Sequence, residues 1–181
     1  MSYSSTLTNN RVQPRLVLAA AVFVCWLFFI AYAFWWFQLR HIDSFSYYLA
    51  EFNSEDMNTS FPLSTGDASV VVHILDPSCP CTRFSTSHIR DLEKEYGDIS
   101  TFMNWQDLPE SFRRDFRIPA SPAVAIWSAV GELAYFGPYS SGEFCGEGDD
   151  FVFATIDNLA KGTNPKWINQ DAVGCFCAWT S

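Results

Sequence analysis

Hydrophobic and polar positions divide the chain into one long apolar stretch and a following region of short alternating periods. Leu16 to Phe37 carries no charged side chain. At about 22 residues it is long enough to cross a hydrocarbon layer of roughly 30 Å as a helix. Ser69 to Leu75 is a continuous β-branched run, the pattern of a strand covered on both faces. Phe84, His88, Ile89, Leu92 and Tyr96 then recur at helical spacing, with Arg90, Asp91, Glu93, Lys94 and Glu95 on the other face and Gly97 as the stop. Ile99 to Trp105 predicts a second strand, parallel to the first across this helix. Asp107 to Phe116 reads as a short helix or turn. Ala123 to Trp127 and Leu133 to Phe136 predict a hairpin about Gly131, and Asp149 to Ala160 a last amphipathic helix. The order is β-α-β then β-β-α: an α/β domain with a central mixed sheet flanked by helices.

The implied organisation is a tail (1–15), a transmembrane helix (16–37), a linker with a short helix around Phe45 to Phe52 (38–67), a compact domain (68–162) and a cysteine-containing tail (163–181). Charge orients the anchor. Arg11 and Arg15 precede the span, and all 20 Asp and Glu fall from Asp43 onward. A cationic flank inside and an acidic domain outside is the distribution of the positive-inside rule, which predicts a single-pass inner-membrane protein with its domain in the periplasm or another extracytoplasmic space. A cleaved signal ending near Ala31-Tyr32-Ala33 is the rival, disfavoured by the apolar run continuing through Phe37. Both place the domain where disulfides are permitted. A net charge of -9 argues against nucleic-acid partners, which need a basic surface.

The chemistry concentrates at Cys79-Pro80-Cys81, between the first strand and its helix. A helix N-terminus favours thiolate over thiol, and a thiolate beside a second cysteine equips a chain for disulfide exchange. A structural disulfide or two idle buried thiols are the plainer alternatives. Cys25, inside the span, reads as an apolar filler.

With its cysteine motif at the first strand-to-helix turn, this order resembles the thioredoxin-like superfamily, in particular its membrane-anchored extracytoplasmic members. The residues that carry the likeness are Val72 to Cys79, the run Ser121-Pro122-Ala123-Val124-Ala125-Ile126 and the hairpin from Ala125 to Tyr135. The resemblance implies that Cys79 is an exposed nucleophile and Cys81 its resolving thiol. It further implies a cis peptide at Ser121-Pro122, with Ser121 backbone groups set to pair with a substrate strand. His73, six residues before Cys79, takes the position of a proton-relaying acid. The single residue between the cysteines departs from the family's usual two. A bond across it closes a small ring, which favours strain and an oxidising pair, or else leaves resolution to a cysteine elsewhere.

Cys145, Cys175 and Cys177 supply such cysteines. A structural bridge from Cys145 to Cys175 or Cys177 is expected to pin the tail, with a redox relay or metal binding as the alternatives. The function expected is a membrane-anchored thiol–disulfide oxidoreductase. Its partners would be protein thiol or disulfide clients and a membrane redox protein, and it needs no cofactor and no metal. A Cu(I)-binding module helped by His73 or Met103, and a non-catalytic adaptor binding beside Pro122, are the other readings.

Overall fold

The computed structural model describes residues 13–37, 39–45, 61, 66–116, 118–142, 148–169 and 172–179. It divides into two units, Met1–Arg40 and His41–Ser181.

In the first unit, helix α1 (Pro14–Phe37) runs 24 residues with no buried side chain. At 1.5 Å per residue it extends about 36 Å, so it is long and apolar enough to span a membrane. Phe28 and Phe29 are about 70% exposed, as suits lipid contact rather than a core. Arg40 stacks over Trp36 at the end of the apolar stretch, with 4.3 Å from guanidinium carbon to ring centre.

The second unit is built on strands β1 (Ile42–Ser44), β2 (Ser69–Ile74), β3 (Ser100–Asn104), β4 (Ala120–Ser121), β5 (Ala123–Trp127), β6 (Leu133–Gly137), β7 (Trp167–Ile168), β8 (Val173–Cys175) and β9 (Cys177–Ala178), with helices α2 (Thr82–Tyr96), α3 (Glu110–Asp115) and α4 (Phe151–Ala160). Its central sheet has the order β3-β2-β5-β6-β7. β2 is parallel to β3 and antiparallel to β5, and β6 is antiparallel to β5 and parallel to β7. The sheet is therefore mixed, as its pattern predicts. Gly131 supplies the positive φ of the β5–β6 turn, +82°.

Both faces of β2 are buried, and its alternation sorts its side chains into two cores. Val70, Val72 and Ile74 join Ala123, Ala125, Trp127 and Phe136 under an aromatic layer of Phe45, Phe61, Trp105, Phe112, Phe116 and Phe176. Val71 joins Val124, Ile126 and Tyr135 beneath Ile89, Leu92 and Tyr96 of α2 and Val152 and Ile156 of α4. Helices thus cover one face, and rings from loops, short helices and the C-terminal segment cover the other.

Two boundaries differ from those expected. Ile42 to Ser44, assigned to the linker, is a strand paired with β8, and the segment after 163 contributes β7, β8 and β9. Three-residue strands lack the periodicity that marks an element in sequence; only their distant partners define them. The short helix expected around Phe45 to Phe52 lies largely outside the described residues.

Trp127 is fully buried and meets Phe61, Phe112 and Phe116 with ring centres 5.0 to 5.9 Å away. Trp127→Ala is expected to cost about 3–5 kcal/mol of unfolding free energy, read from urea denaturation with disulfides intact.

Candidate functional site

The β2–α2 turn is organised by Asp76. Its carboxylate Oδ1 accepts from the Ser78 amide (2.8 Å) and hydroxyl (2.7 Å), and its carbonyl accepts from the Cys79 amide (3.1 Å) and Thr82 Oγ1 (2.7 Å). These bonds fix Cys79 two residues before Cys81, which N-caps α2 without a side-chain cap. The Asp76 amide donates to Ser121 Oγ (2.8 Å), and Ser121 Oγ donates to the Ile74 carbonyl (3.4 Å). This side chain ties the turn to the segment before Pro122, where the Ser121–Pro122 peptide is cis as expected. Ser121 therefore works through its hydroxyl as well as its backbone. The dense punctuation of Asp76-Pro77-Ser78 is the sequence signal for such a turn, but its partner 45 residues away leaves none.

The C-terminal segment completes the site. β9 pairs antiparallel with β4, setting Cys177 opposite Ser121 and Ala178 opposite Ala120, and the Trp179 amide donates to the Pro119 carbonyl (3.1 Å). β8 pairs antiparallel with β1, setting Cys175 opposite Ile42. Between them Phe176 turns into the aromatic core, 5.3 Å from Phe45. A Cβ on Gly174 would meet that ring at 2.8 Å, so only glycine lets the segment lie this close. Alternation explains the one-residue spacing: with Phe176 inward, Cys175 and Cys177 face the other way together.

They face Cys79 and Cys81. Cys79 is bonded to Cys177 and Cys81 to Cys175, with Cα–Cα separations of 5.9 and 5.6 Å. The two Cys-x-Cys motifs thus meet head to tail in a two-rung ladder. Of the two alternatives left open by the one-residue spacing, the structure takes bonding to cysteines elsewhere, so ring strain between Cys79 and Cys81 does not arise in this state. Two expectations are corrected. Neither tail sulfur bridges to Cys145, because both are already engaged; Cys145 itself lies outside the described residues. Nor is Cys79 exposed: it retains 5% of its surface, because the strand that bonds it also covers it. Each bond closes a loop of more than ninety residues, 98 and 94 apart in sequence. One such closure is worth about 4–5 kcal/mol in the chain-entropy account, and the second, nested inside it, adds far less.

Cys79 Sγ lies 3.5 Å from the Ser121 carbonyl oxygen. In the bonded state the sulfur carries no hydrogen, so this is a contact; a reduced thiol there has an acceptor before it. Cys25 of α1 is the free cysteine among the described residues.

His73 is buried on β2, and its Nδ1 shares a 2.8 Å hydrogen bond with Tyr139 Oη. It stacks on Phe102 and Tyr139, and its Nε2 is 3.7 Å from Glu93 Oε1 without a hydrogen bond. Its polar neighbours are thus Tyr139 and Glu93 rather than a sulfur, and Tyr139 stands between it and the groove beside Cys81 and Cys175. Burial, reinforced by the nearby His88, pushes the His73 pKa down to about 4, so the ring is neutral at pH 7. His88 has a structural setting: its Nε2 is 3.2 Å from Asp150 Oδ2, while Asp150 Oδ1 caps α4 by accepting from the Phe153 amide.

Residues 49–179 match the sequence profile of a family described as "Domain of unknown function (DUF6436)". No curated protein matches the chain. Among solved structures, an uncharacterized conserved protein from Geobacillus kaustophilus is similar with a TM-score of 0.45 and 15% identity, covering 65% of this chain and 80% of that one. A hypothetical protein from Sinorhizobium meliloti 1021 gives a TM-score of 0.44 and 14% identity over 71% of this chain and 84% of its own.

Two measurements check the site. Proteolysis without reductant is expected to release the Cys79 and Cys177 segments joined, and likewise those of Cys81 and Cys175; a Cys79–Cys81 bond would contradict the ladder. Between pH 6.5 and about 4 the unfolded chain binds a proton that buried His73 refuses. Its contribution to stability is therefore full above that window and falls with pH through it, by about 3 kcal/mol at the bottom. Urea unfolding at pH 7 and pH 4.5 is expected to show a smaller acid loss in His73→Gln than in the parent.

Proposed function

We propose that this chain, which belongs to the DUF6436 family, is a membrane-anchored thiol–disulfide oxidoreductase of thioredoxin-like fold acting on extracytoplasmic proteins. One observation carries the reading. Cys79, two residues before the N-cap of α2, is bonded to a cysteine on an extended segment that pairs with Ser121. That is the geometry of the mixed disulfide through which exchange proceeds, with the chain's own tail in the place of a client. The β-α-β then β-β-α order and the cis Ser121–Pro122 peptide beside the cysteine support the thioredoxin-like assignment.

In this reading α1 spans the membrane, with Arg11 and Arg15 on the cytoplasmic side and the acidic domain outside. A membrane dithiol partner reduces the ladder, giving up two electrons and two protons per bond; the tail strand stays paired until a client strand displaces it from Cys79 and Cys81. The Cys79 thiolate is favoured by the field of α2; the Ser121 carbonyl opposes it weakly, since S–H is a poor donor. Cys79 then attacks a client disulfide, forming a mixed disulfide and expelling one client thiolate. Attack by Cys81, or by a returning Cys177, expels the second client thiolate. The client gains two electrons and the protein dithiol loses them; the partner's potential sets the net direction. Tyr139 borders the groove beside Cys81 and is hydrogen-bonded to neutral His73; in this reading the pair passes protons to that groove.

Cys79→Ser is expected to lower the reduction or isomerisation of a disulfide-bonded model protein to the uncatalysed rate, and Cys25→Ser to leave it unchanged. Equal turnover in the two variants would refute the assignment.

A further inference from the structure

We propose that the sulfurs of Cys79, Cys81, Cys175 and Cys177, when reduced, form a binding site for one soft d10 cation, Zn(II) or Cu(I). This goes beyond the exchange reading and does not depend on turnover.

Three of the four sulfurs already stand at metal-site scale, and the fourth is bonded to one of them. Those of Cys79, Cys81 and Cys177 lie within 4.8 Å of one another, and Cys175 is bonded to Cys81. A tetrahedral thiolate site with metal–sulfur distances near 2.3 Å separates its sulfurs by about 3.8 Å. The backbone positions are held by more than the disulfides. Cys177 is kept opposite Ser121 by strand pairing, Cys175 opposite Ile42, and Phe176 between them is anchored in the core. Cutting both S–S bonds therefore leaves two Cys-x-Cys motifs still facing each other. Ligands that are pre-assembled in this way spare a metal the cost of ordering them.

The surroundings suit a soft ion. A void of about 10 Å³ is bordered by Cys81 and Cys175 together with Phe84, Pro122, Tyr139 and Phe176. That is the lower limit for a water molecule, and a sulfur-held ion is smaller. Among the described residues no carboxylate borders it, so the donor set selects thiolate-seeking cations over calcium or magnesium.

The balance is simple. Two equivalents of a dithiol reduce the two disulfides to four thiols, becoming two disulfides themselves. Zn(II) then binds four thiolates and releases four protons; Cu(I) takes three, from Cys79, Cys81 and Cys177, and releases three. Metal and ladder exclude each other, since both draw on the same sulfurs.

The test uses the full-length chain in detergent with Cys25→Ser and Cys145→Ser, reduced with a phosphine under anaerobic conditions. Titration with Co(II), a spectroscopic stand-in for Zn(II), is expected to saturate at one equivalent, with sulfur-to-cobalt charge-transfer absorption and the visible bands of tetrahedral geometry. Zn(II) should bleach that spectrum. Competition with a chromophoric chelator measures the Cu(I) arm, and the oxidised chain should bind neither ion. In Cys175→Ser/Cys177→Ser the charge transfer per cobalt should fall by about half, from four sulfurs to two, and affinity by tenfold or more. The parent chain alone suffices to overturn the proposal: no saturable binding in either arm ends it, whatever the exchange activity. A tail variant with the parent's spectrum ends it equally.

Discussion

The pairing of β9 with β4 is the interaction on which the site depends. It holds Cys177 opposite Ser121, and Ser121 is itself tied through its hydroxyl to Asp76 and Ile74 at the foot of the cysteine turn. A shift of one residue in this register would turn Phe176 toward Cys79 and bury the tail sulfurs in the aromatic core, since successive side chains of a strand face opposite ways. The sulfur ladder is thus a consequence of strand register, with the covalent bonds fixing what backbone pairing has aligned.

The same register couples the sulfur chemistry to folding. The helix-covered face of the sheet is completed by α2 and α4, whose amphipathic patterns are continuous. Among the described residues the opposite face has no long helix. It is closed by rings from several short segments, and Phe176, the residue between the tail cysteines, is one of them. Moving the tail off Cys79 and Cys81 therefore also withdraws a ring from Phe45 and uncovers part of the core. The position of the tail sulfurs and the closure of the aromatic face are two aspects of one contact. The tail is at once a structural element and the covalent partner of Cys79 and Cys81, which is how a buried Cys79 fits the proposed exchange: in that proposal its cover is also its leaving group.

His73 illustrates how surroundings decide a role that position suggests. Six residues before Cys79 it sits where a proton relay is expected, yet its contacts are Tyr139, Phe102 and Glu93. Desolvation holds it neutral, so at pH 7 it enters the site as an uncharged hydrogen-bonding ring behind Tyr139 rather than as an acid facing sulfur.

The long apolar helix, the order of the main strands and helices, the cysteine turn and the cis proline were legible in the sequence. Each rests on local physics: an uncharged run matched to bilayer thickness, periods of two and 3.6, and the turn chemistry of proline, glycine and aspartate. What the sequence left open was which sulfurs bond, and there the expected bridge to Cys145 fails. The choice of partner was made by strands of two and three residues, too short for a periodic signal, that pair with segments 56 to 58 residues away (β4 with β9) and 129 to 133 residues away (β1 with β8). Bond partners of cysteines follow spatial neighbourhood, and here only the tertiary structure supplies it, by folding the last residues of the chain back onto the first turn of its sheet.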